Sequence, residues 1–230
     1  MHGFDLKKEF LLINFKAYQT SIGKNALKLG EQIQEAVKEA DLDISVGIAV
    51  QPSDIRLFKD LELAVFAQHV DPIEYGAKTG HILPEAVYDA GAVGSLVNHS
   101  ERQLNLDVVE ETITRMKETN LISVACASTP KMAAAIASMN PDFIAIEPPE
   151  LIGGEISVSV AKPEIITDTI NSVHDVNKNI PVLCGAGIKN NKDVKIARKL
   201  GAKGILVASG VTKASNPKLA VLDLLKGFKR

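Results

Sequence analysis

Three side chains that could take part in catalysis each stand at or just after the end of a short apolar run. Lys16 follows the run that closes on Asn14, His99 ends another run, and Glu147 ends a third. A carboxylate can act as a base, a neutral imidazole can polarise a carbonyl, and an ammonium can hold an anionic substrate. Each residue alone is also compatible with an ordinary structural role. Together at one place, they would form a base, an electrophile and a charge clamp.

Two further apolar runs end in small residues that leave the backbone accessible. One reads Cys184-Gly185-Ala186-Gly187 and the other reads Ala208-Ser209-Gly210. Turns of this kind are also common in ordinary loops. Beside a cation and a carboxylate, they would supply backbone N–H groups to an anion.

Eight apolar runs recur along the chain and must position these residues. The runs are continuous and not alternating, which is typical of parallel strands buried on both faces. Eight strands alternating with helices predict a (β/α)8 barrel, in which the carboxyl ends of all strands meet at one face. A doubly wound sheet is the alternative, although no G-x-G-x-x-G loop follows the first run. The predicted strands are Phe10–Asn14, Ile44–Val50, Ala64–Val70, Val93–His99, Leu121–Ala127, Phe143–Glu147, Pro181–Gly185 and Gly204–Ala208.

Apolar residues spaced three or four apart predict helices between most of these strands. The clearest stripe is Ile22, Ala26, Leu29, Ile33, Ala36/Val37 and Ala40. The 230 residues are somewhat fewer than the ~250 typical of such barrels, so some helices should be short, including one around Pro84–Asp89. No linker-like segment divides the chain, and we expect a single domain over residues 1–230.

The apolar and charged fractions are ordinary for a soluble globular protein. The net charge is −2 with both signs interspersed, so nothing suggests a nucleic-acid partner. No apolar stretch has the length of a membrane span, and the first residues lack the apolar region of a signal peptide. Cys126 and Cys184 lie in apolar runs, which is expected of reduced core cysteines and not of a metal set. We therefore expect a cytoplasmic protein without a metal site.

The ordered set of motifs resembles the triosephosphate isomerase family, in the short form found in archaea, over essentially the whole chain. Each motif alone is weakly specific, whereas their order is strongly specific. The motifs are Asn14-x-Lys16, Gly76-Ala77-x-Thr79-Gly80, Asn98-His99-Ser100-Glu101-Arg102, Glu147-Pro148-Pro149-Glu150-Leu151-Ile152-Gly153 and Cys184-Gly185-Ala186-Gly187.

This resemblance implies a TIM barrel that interconverts dihydroxyacetone phosphate and D-glyceraldehyde 3-phosphate, in glycolysis and gluconeogenesis. It implies that Glu147 is the catalytic base, that neutral His99 polarises the carbonyl, that Lys16 supplies positive charge, and that Asn14 orients the substrate. The chemistry needs no cofactor. The family is a well-known case of a carboxylate base paired with a neutral imidazole under a closing lid, so these roles follow from the resemblance alone.

For the phosphate, the resemblance implies backbone donors at Ile152, Gly153, Gly187, Ala208 and Ser209. It also implies a lid from Pro148 to about Ser157, in which Pro148 and Pro149 stiffen the exit from the strand. The lid hinge reads Gly153-Gly154-Glu155 where relatives usually have Gly-Thr-Gly. Because glycine populates more backbone states than threonine, we expect a lid biased towards opening.

The segment "VDPIEYGAKTGHILPE" is too long for a simple turn between strand and helix. The resemblance implies that it docks into a second subunit, where Thr79 supports Asn14 and Glu101. We therefore expect a homodimer or homotetramer. Two other interpretations remain open: another phosphate-binding barrel, such as a phosphoribosyl isomerase, and a barrel that serves only as an interaction scaffold.

Overall fold

Eight short parallel strands form a closed barrel. The computed structural model describes residues 4–148 and 163–229. Within these ranges each strand pairs with the next in chain order, and the last pairs with the first. This closure confirms the (β/α)8 barrel and excludes the open doubly wound sheet. The strands are β1 (Phe10–Asn14), β2 (Ser45–Val50), β3 (Ala64–Ala67), β4 (Gly94–Val97), β5 (Ile122–Ala127), β6 (Phe143–Ile146), β7 (Val182–Cys184) and β8 (Gly204–Val207).

Helices connect most of the strands and cover the barrel. Several begin with the expected signals: Thr129 caps a helix that starts at Pro130, Asn216 caps one that starts at Pro217, and Asn190 forms a capping box with Asp193. A 3-10 helix, Pro52–Phe58, connects β2 to β3. The α-helices are α1 (Gly23–Ala40), α2 (Pro84–Asp89), α3 (Leu106–Glu118), α4 (Pro130–Ala137), α5 (Pro163–Val176), α6 (Asn191–Lys199), α7 (Ser209–Thr212) and α8 (Pro217–Lys226).

The predicted strands are all found, but several end before their predicted limits, most clearly β3 and β4. The sequence predicts that β4 continues to His99, whereas the strand stops at Val97 because Asn98 has φ +58°, which is left-handed and incompatible with a strand. The sequence also predicts that β3 continues to Val70, but β3 pairs with β4 only at Phe66 and Ala67. The short helix Pro84–Asp89 is confirmed.

The predicted stripe of α1 is correct except at its start. Ala26, Leu29, Ile33 and Ala36 are buried. Ile22 is instead the residue before the helix, with an extended backbone and 42% exposure. An extended residue cannot place its side chain on the helical stripe.

The core has two layers because strand residues alternate between the two faces of the barrel wall. Outward-facing residues such as Leu11 and Ile13 pack against the helices. Inward-facing residues fill the barrel, and Phe10, Phe66 and Phe143 meet Phe4 at the end where the strands begin. These four packed rings fill one end of the barrel. The other end is left for polar groups.

An exposed excursion, residues 72–81, leaves the barrel between β3 and α2; we call it the arm. Its neck is closed by two bonds between Asp71 and Ile82. The Asp71 N–H donates to the Ile82 carbonyl at 2.9 Å, and the Ile82 N–H donates to the Asp71 carboxylate at 2.6 Å. Tyr75 near the tip is 74% exposed.

The predicted lid lies outside the described residues apart from Pro148. The same holds for the predicted hinge, and for the phosphate donors Ile152 and Gly153 that the lid would contribute.

Candidate active site

Alternation along the strands explains why two polar residues face into the open end of the barrel. Asn14 continues the inward-facing series of Phe10 and Leu12, and Glu147 continues that of Phe143 and Ala145. Both side chains therefore extend the filled interior to its polar end. Asn14 is 3% exposed and Glu147 is 5% exposed.

Lys16 reaches this end through a strained turn. Its φ of +53° is left-handed, which is uncommon for a residue with a side chain. Two bonds hold the turn: the Lys16 N–H donates to Asn14 Oδ1 at 2.9 Å, and the Lys16 carbonyl accepts from Gln68 Nε2 at 2.9 Å. Lys16 Nζ then pairs with Glu101 Oε1 at 2.9 Å. Such strain persists where the surroundings fix the conformation, as they do here.

The loop after β4 places His99 and fixes the position of its ring proton. Asn98 holds the loop, because its amide donates to the Cys126 carbonyl and its oxygen accepts from the Leu104 N–H. The Glu101 backbone N–H donates to His99 Nδ1 at 3.1 Å, so Nδ1 is an acceptor and cannot carry a proton. In the neutral ring the proton is then on Nε2. Glu101 Oε2 lies 3.6 Å from Nδ1, too far for a good hydrogen bond.

The His99 and Glu147 side chains are both buried and meet at this polar end of the barrel. His99 Nε2 lies 3.2 Å from Glu147 Oε1. Glu147 Oε2 is buried and has no hydrogen-bond partner within the described part of the chain. A carboxylate with one oxygen unengaged in a buried pocket is suited to accept a proton from a bound molecule.

Two neighbours whose contacts with Glu147 were not predicted from the sequence confine this side chain. Gly185 follows β7 beside it, where an added Cβ would stand 2.6 Å from Glu147 Cγ. Cys126 faces the same carboxylate from β5. Burial and then the charge of Glu147 raise the pKa of the Cys126 thiol well above its ordinary range. The thiol therefore stays neutral beside the carboxylate.

A cavity of about 80 Å³ opens at this end of the barrel. Lys16, His99 and Glu147 line it, and so do two loops with accessible backbone. The loop after β7 turns at Gly187 with φ +68°. The loop after β8 leads directly into the start of α7, where the first N–H groups have no acceptor within the helix. The lining comprises Asn14, Lys16, His99, Glu147, Gly185, Ala186, Gly187, Ile188, Leu206, Val207, Ala208, Ser209 and Gly210.

The structure therefore brings together seven of the residues that the sequence predicted: Asn14, Lys16, His99, Glu147, Gly187, Ala208 and Ser209. Glu101 lies at the rim, bound to Lys16. Thr79 is exposed on the arm and is not among the residues that line the cavity.

Among residues 4–148 and 163–229, no group of three or more His, Cys, Asp or Glu side chains could hold a metal ion. Over the same ranges, no helix is long and apolar enough to cross a membrane.

Gln68 is a further residue that sequence reasoning missed. Its amide donates to the carbonyls of Lys16 and Ala49, and its own oxygen accepts from Gln51 Nε2 at 2.9 Å. A signal was present, because Gln68 is a polar residue within the run predicted as the third strand, and the observed β3 ends directly before it. Nothing in the sequence marked the contacts of Gly185 or Cys126, which depend on strand register.

Comparison with known proteins finds relatives whose similarity extends over nearly the whole chain. The sequence profile of the family described as triosephosphate isomerase matches residues 9–227. The triosephosphate isomerase of Methanobacterium bryantii is 45% identical over 216 residues, which cover 94% of this chain and 95% of that protein. The enzyme of Methanocaldococcus jannaschii is 44% identical, with coverage of 94% and 98%. That of Archaeoglobus fulgidus is 44% identical, with coverage of 95% and 98%.

Among solved structures, a crystal structure of triosephosphate isomerase from Bartonella henselae has the same fold. The TM-score is 0.72 and the alignment covers 94% of this chain and 98% of that one. The sequence identity is 17%, so this likeness concerns the fold alone.

Proposed function

The chain belongs to the triosephosphate isomerase family, and we propose that Glu147, His99, Lys16 and Asn14 carry out its reaction. The protein is an isomerase that interconverts dihydroxyacetone phosphate and D-glyceraldehyde 3-phosphate. The observation that best supports the residue roles is the 3.2 Å approach of His99 Nε2 to Glu147 Oε1 in a buried pocket that Lys16 also lines.

Glu147 acts as the base. It takes a proton from the carbon next to the substrate carbonyl, and the electron pair of that C–H bond forms the double bond of an enediolate. The hydroxyl proton then passes from the oxygen of the first carbon to the oxygen of the former carbonyl carbon, beside His99 Nε2–H. The C=O bond forms at the first carbon as the electron pair of the carbon–carbon double bond takes a proton from the Glu147 carboxyl group at the former carbonyl carbon. The unengaged Oε2 atom supports this role, because a base must have a free lone pair in reach of the substrate.

His99 stabilises the oxygen on which negative charge develops. Its Nδ1 accepts from the Glu101 N–H, so its Nε2–H is the donor that faces the pocket. Donors fixed in advance are most effective in a site that excludes water, because they need no reorganisation during the reaction. Lys16 adds a positive charge, and the Asn14 amide NH₂ group orients the substrate while its oxygen holds the Lys16 turn.

The phosphate binds to backbone N–H groups at Gly187, Ala208 and Ser209, with Ile152 and Gly153 contributed by the lid. Ala208 and Ser209 lie at the start of the four-residue helix α7 beside the cavity, where the first N–H groups have no acceptor within the helix and can donate to an anion. Lid closure would exclude water and protect the enediolate.

The protein works as a single-domain subunit of a homodimer or homotetramer in the cytoplasm, in glycolysis and gluconeogenesis. The exposed arm supports the assembly, since it presents Thr79 and Tyr75 to the outside of the subunit. In the assembly Thr79 would support Asn14 and Glu101 of a second copy. The tetramer is the state implied by resemblance to the short archaeal form.

A coupled assay tests the function and the site together. Glyceraldehyde 3-phosphate is supplied, and a dehydrogenase that acts on dihydroxyacetone phosphate reports its formation. Wild-type protein should turn over substrate, whereas Lys16→Met, purified identically, should lose roughly 10²-fold or more in kcat/KM. A Lys16→Met preparation as active as wild type would show that the activity does not depend on this site.

A further inference from the structure

Arg115 on α3 ties three separate parts of the chain together near the arm. Its Nε–H donates to the Ile73 carbonyl at 3.2 Å, inside the first residues of the arm. Its Nη2 group pairs with Glu85 at the start of α2, and its Nη1 group pairs with Glu118 on α3. The Arg115 side chain is only 13% exposed, so these pairs are poorly accessible to water on the arginine side.

The arm is attached to the barrel mainly at its neck, through Asp71 and Ile82. Beyond the neck, backbone bonds join arm residues to each other, as from the Lys78 N–H to the Gly76 carbonyl. Two glycines with positive φ, Gly76 at +151° and Gly80 at +89°, give the tip bends that other residues adopt with difficulty. The neck therefore fixes where the arm begins, but a contact beyond the neck is needed to fix its direction.

We propose that Arg115 is a positioning residue that sets the direction of the arm, so that the arm fits a second copy of the chain. The inference rests on the proposed assembly. The partners of Arg115 described above lie on the arm, α2 and α3, and none of them lines the cavity of its own subunit. Arg115 acts through the arm, whose Thr79 would reach the active site of the neighbour.

The chemistry of the side chain suits this role. A guanidinium offers five N–H donors in a rigid plane, so one group can bind a carbonyl and two carboxylates in fixed directions. A lysine can keep the charge interactions with Glu85 and Glu118, but it has no donor at the position of Nε. Arg115→Lys therefore removes the directional bond to the Ile73 carbonyl while it can keep the charge interactions with Glu85 and Glu118.

The experiment compares Arg115→Met and Arg115→Lys with wild type, with Arg56→Met as the matched control. Arg56 also pairs with a carboxylate, Asp89, but it lies in an exposed pair on the 3-10 helix after β2. For each protein, sedimentation gives the dissociation constant of the assembly, and specific activity is measured over a dilution series. The thermal midpoint and the kcat and KM of fully assembled protein are measured in parallel.

Arg115→Met should raise the dissociation constant by roughly 10- to 100-fold, because a hydrogen bond and two charge pairs are lost. Its specific activity should fall at dilutions where wild type remains active and recover at concentrations where assembly is complete, with wild-type kcat and KM. Arg115→Lys should lie between the two, and Arg56→Met should match wild type.

Three results would overturn the inference. The first is wild-type assembly and dilution behaviour in Arg115→Met. The second is a loss of kcat that persists when assembly is complete, which would indicate a general disruption of the fold. The third is a wild type that is fully active as a monomer, which would also overturn the proposed assembly, whereas the first two leave that proposal standing. If Arg115→Met does not give folded protein, Arg115→Lys carries the same test.

Discussion

The two ends of the barrel are built on the same eight strands but use burial for opposite purposes. At the end where the strands begin, the rings of Phe4, Phe10 and Phe143 pack with centroids 4.8 to 6.3 Å apart. At the end where the strands finish, the buried side chains include Asn14, His99 and Glu147. One end stabilises the fold by removing apolar surface from water, and the other keeps polar groups in the buried environment that the proposed mechanism requires.

The difference also shows in how residues are held. The aromatic end is fixed by packing in all directions, as is usual for protein interiors. The polar end is fixed by a few directional bonds: the Lys16 N–H donates to Asn14 Oδ1, and the Gln68 amide donates to the Lys16 carbonyl. We therefore expect changes at the polar end to lower turnover more than stability, and changes at the aromatic end to do the reverse.

The largest effect on turnover should come from Glu147→Asp and His99→Gln. Shortening the base by one methylene moves its oxygens away from the substrate, and glutamine cannot reproduce the fixed Nε2–H donor. Acid–base groups typically contribute about 10²- to 10⁴-fold, so kcat should fall in that range with a smaller change in KM. Steady-state kinetics measure both. Near-normal turnover in either variant would remove that residue from the mechanism.

Gly185→Ala should have the next largest effect. The added Cβ would stand 2.6 Å from Glu147 Cγ and 3.0 Å from the Ile146 carbonyl, so the base must move. A displacement of about 1 Å can cost ~10²-fold, and we expect a loss of roughly 10- to 100-fold in kcat. Gly210→Ala adds the same methyl group to another part of the cavity lining without a close contact, because the nearest atom to a Cβ there is 3.8 Å away, and it is compared through kcat. If both variants behave alike, steric confinement of Glu147 by the end of β7 is not what positions it.

Phe10→Ala tests the opposite half of the comparison. Phe10 is fully buried at the aromatic end and contacts the rings of Phe4, Phe66 and Phe143. Removing the ring should lower the free energy of unfolding by about 3–5 kcal/mol while kcat changes less than about threefold. Denaturant unfolding and kinetics on the folded variant give the two numbers. A large loss of kcat in fully folded protein would mean that the two ends are coupled.

The smallest effect concerns pH and the largely buried pair of His69 and Asp71, whose side chains are 3.0 Å apart at the polar end. Burial lowers the pKa of His69, with the Asp71 contact opposing this shift. Because the unfolded chain binds this proton more readily, stability should fall as the pH drops through about 6.5 and below, towards the lowered pKa of the folded state. Asp71 adds to the loss at still lower pH: burial opposes the shift, but the Ile82 N–H and His69 lower its pKa.

His69→Gln should reduce the change in the free energy of unfolding between about pH 7 and 5.5, because the group that binds the proton on unfolding is gone. Turnover at about pH 8 should not change. Denaturant unfolding at several pH values provides the measurement. If the free energy of unfolding depends on pH in His69→Gln as it does in wild type, other groups cause that dependence.

Much of the fold could be predicted because continuous apolar runs and their polar ends carry a strong signal. The convergence of Lys16, His99 and Glu147 follows directly, since all strands of such a barrel end at one face. The left-handed backbone at Lys16 and Asn98, which shapes both loops, could not be predicted, because it depends on tertiary hydrogen bonds. The contact of Gly185 with Glu147 likewise requires knowing that β6 and β7 are neighbours in register.

The central claim is that His99 is a neutral donor through Nε2, fixed by the backbone of its own loop. Nitrogen-15 NMR of protein labelled at histidine tests this most directly, with the His99 signals assigned from their loss in His99→Gln. At neutral pH we predict that Nε2 carries a proton and that Nδ1 does not. A ring protonated at both nitrogens, or protonated only at Nδ1, would contradict the account.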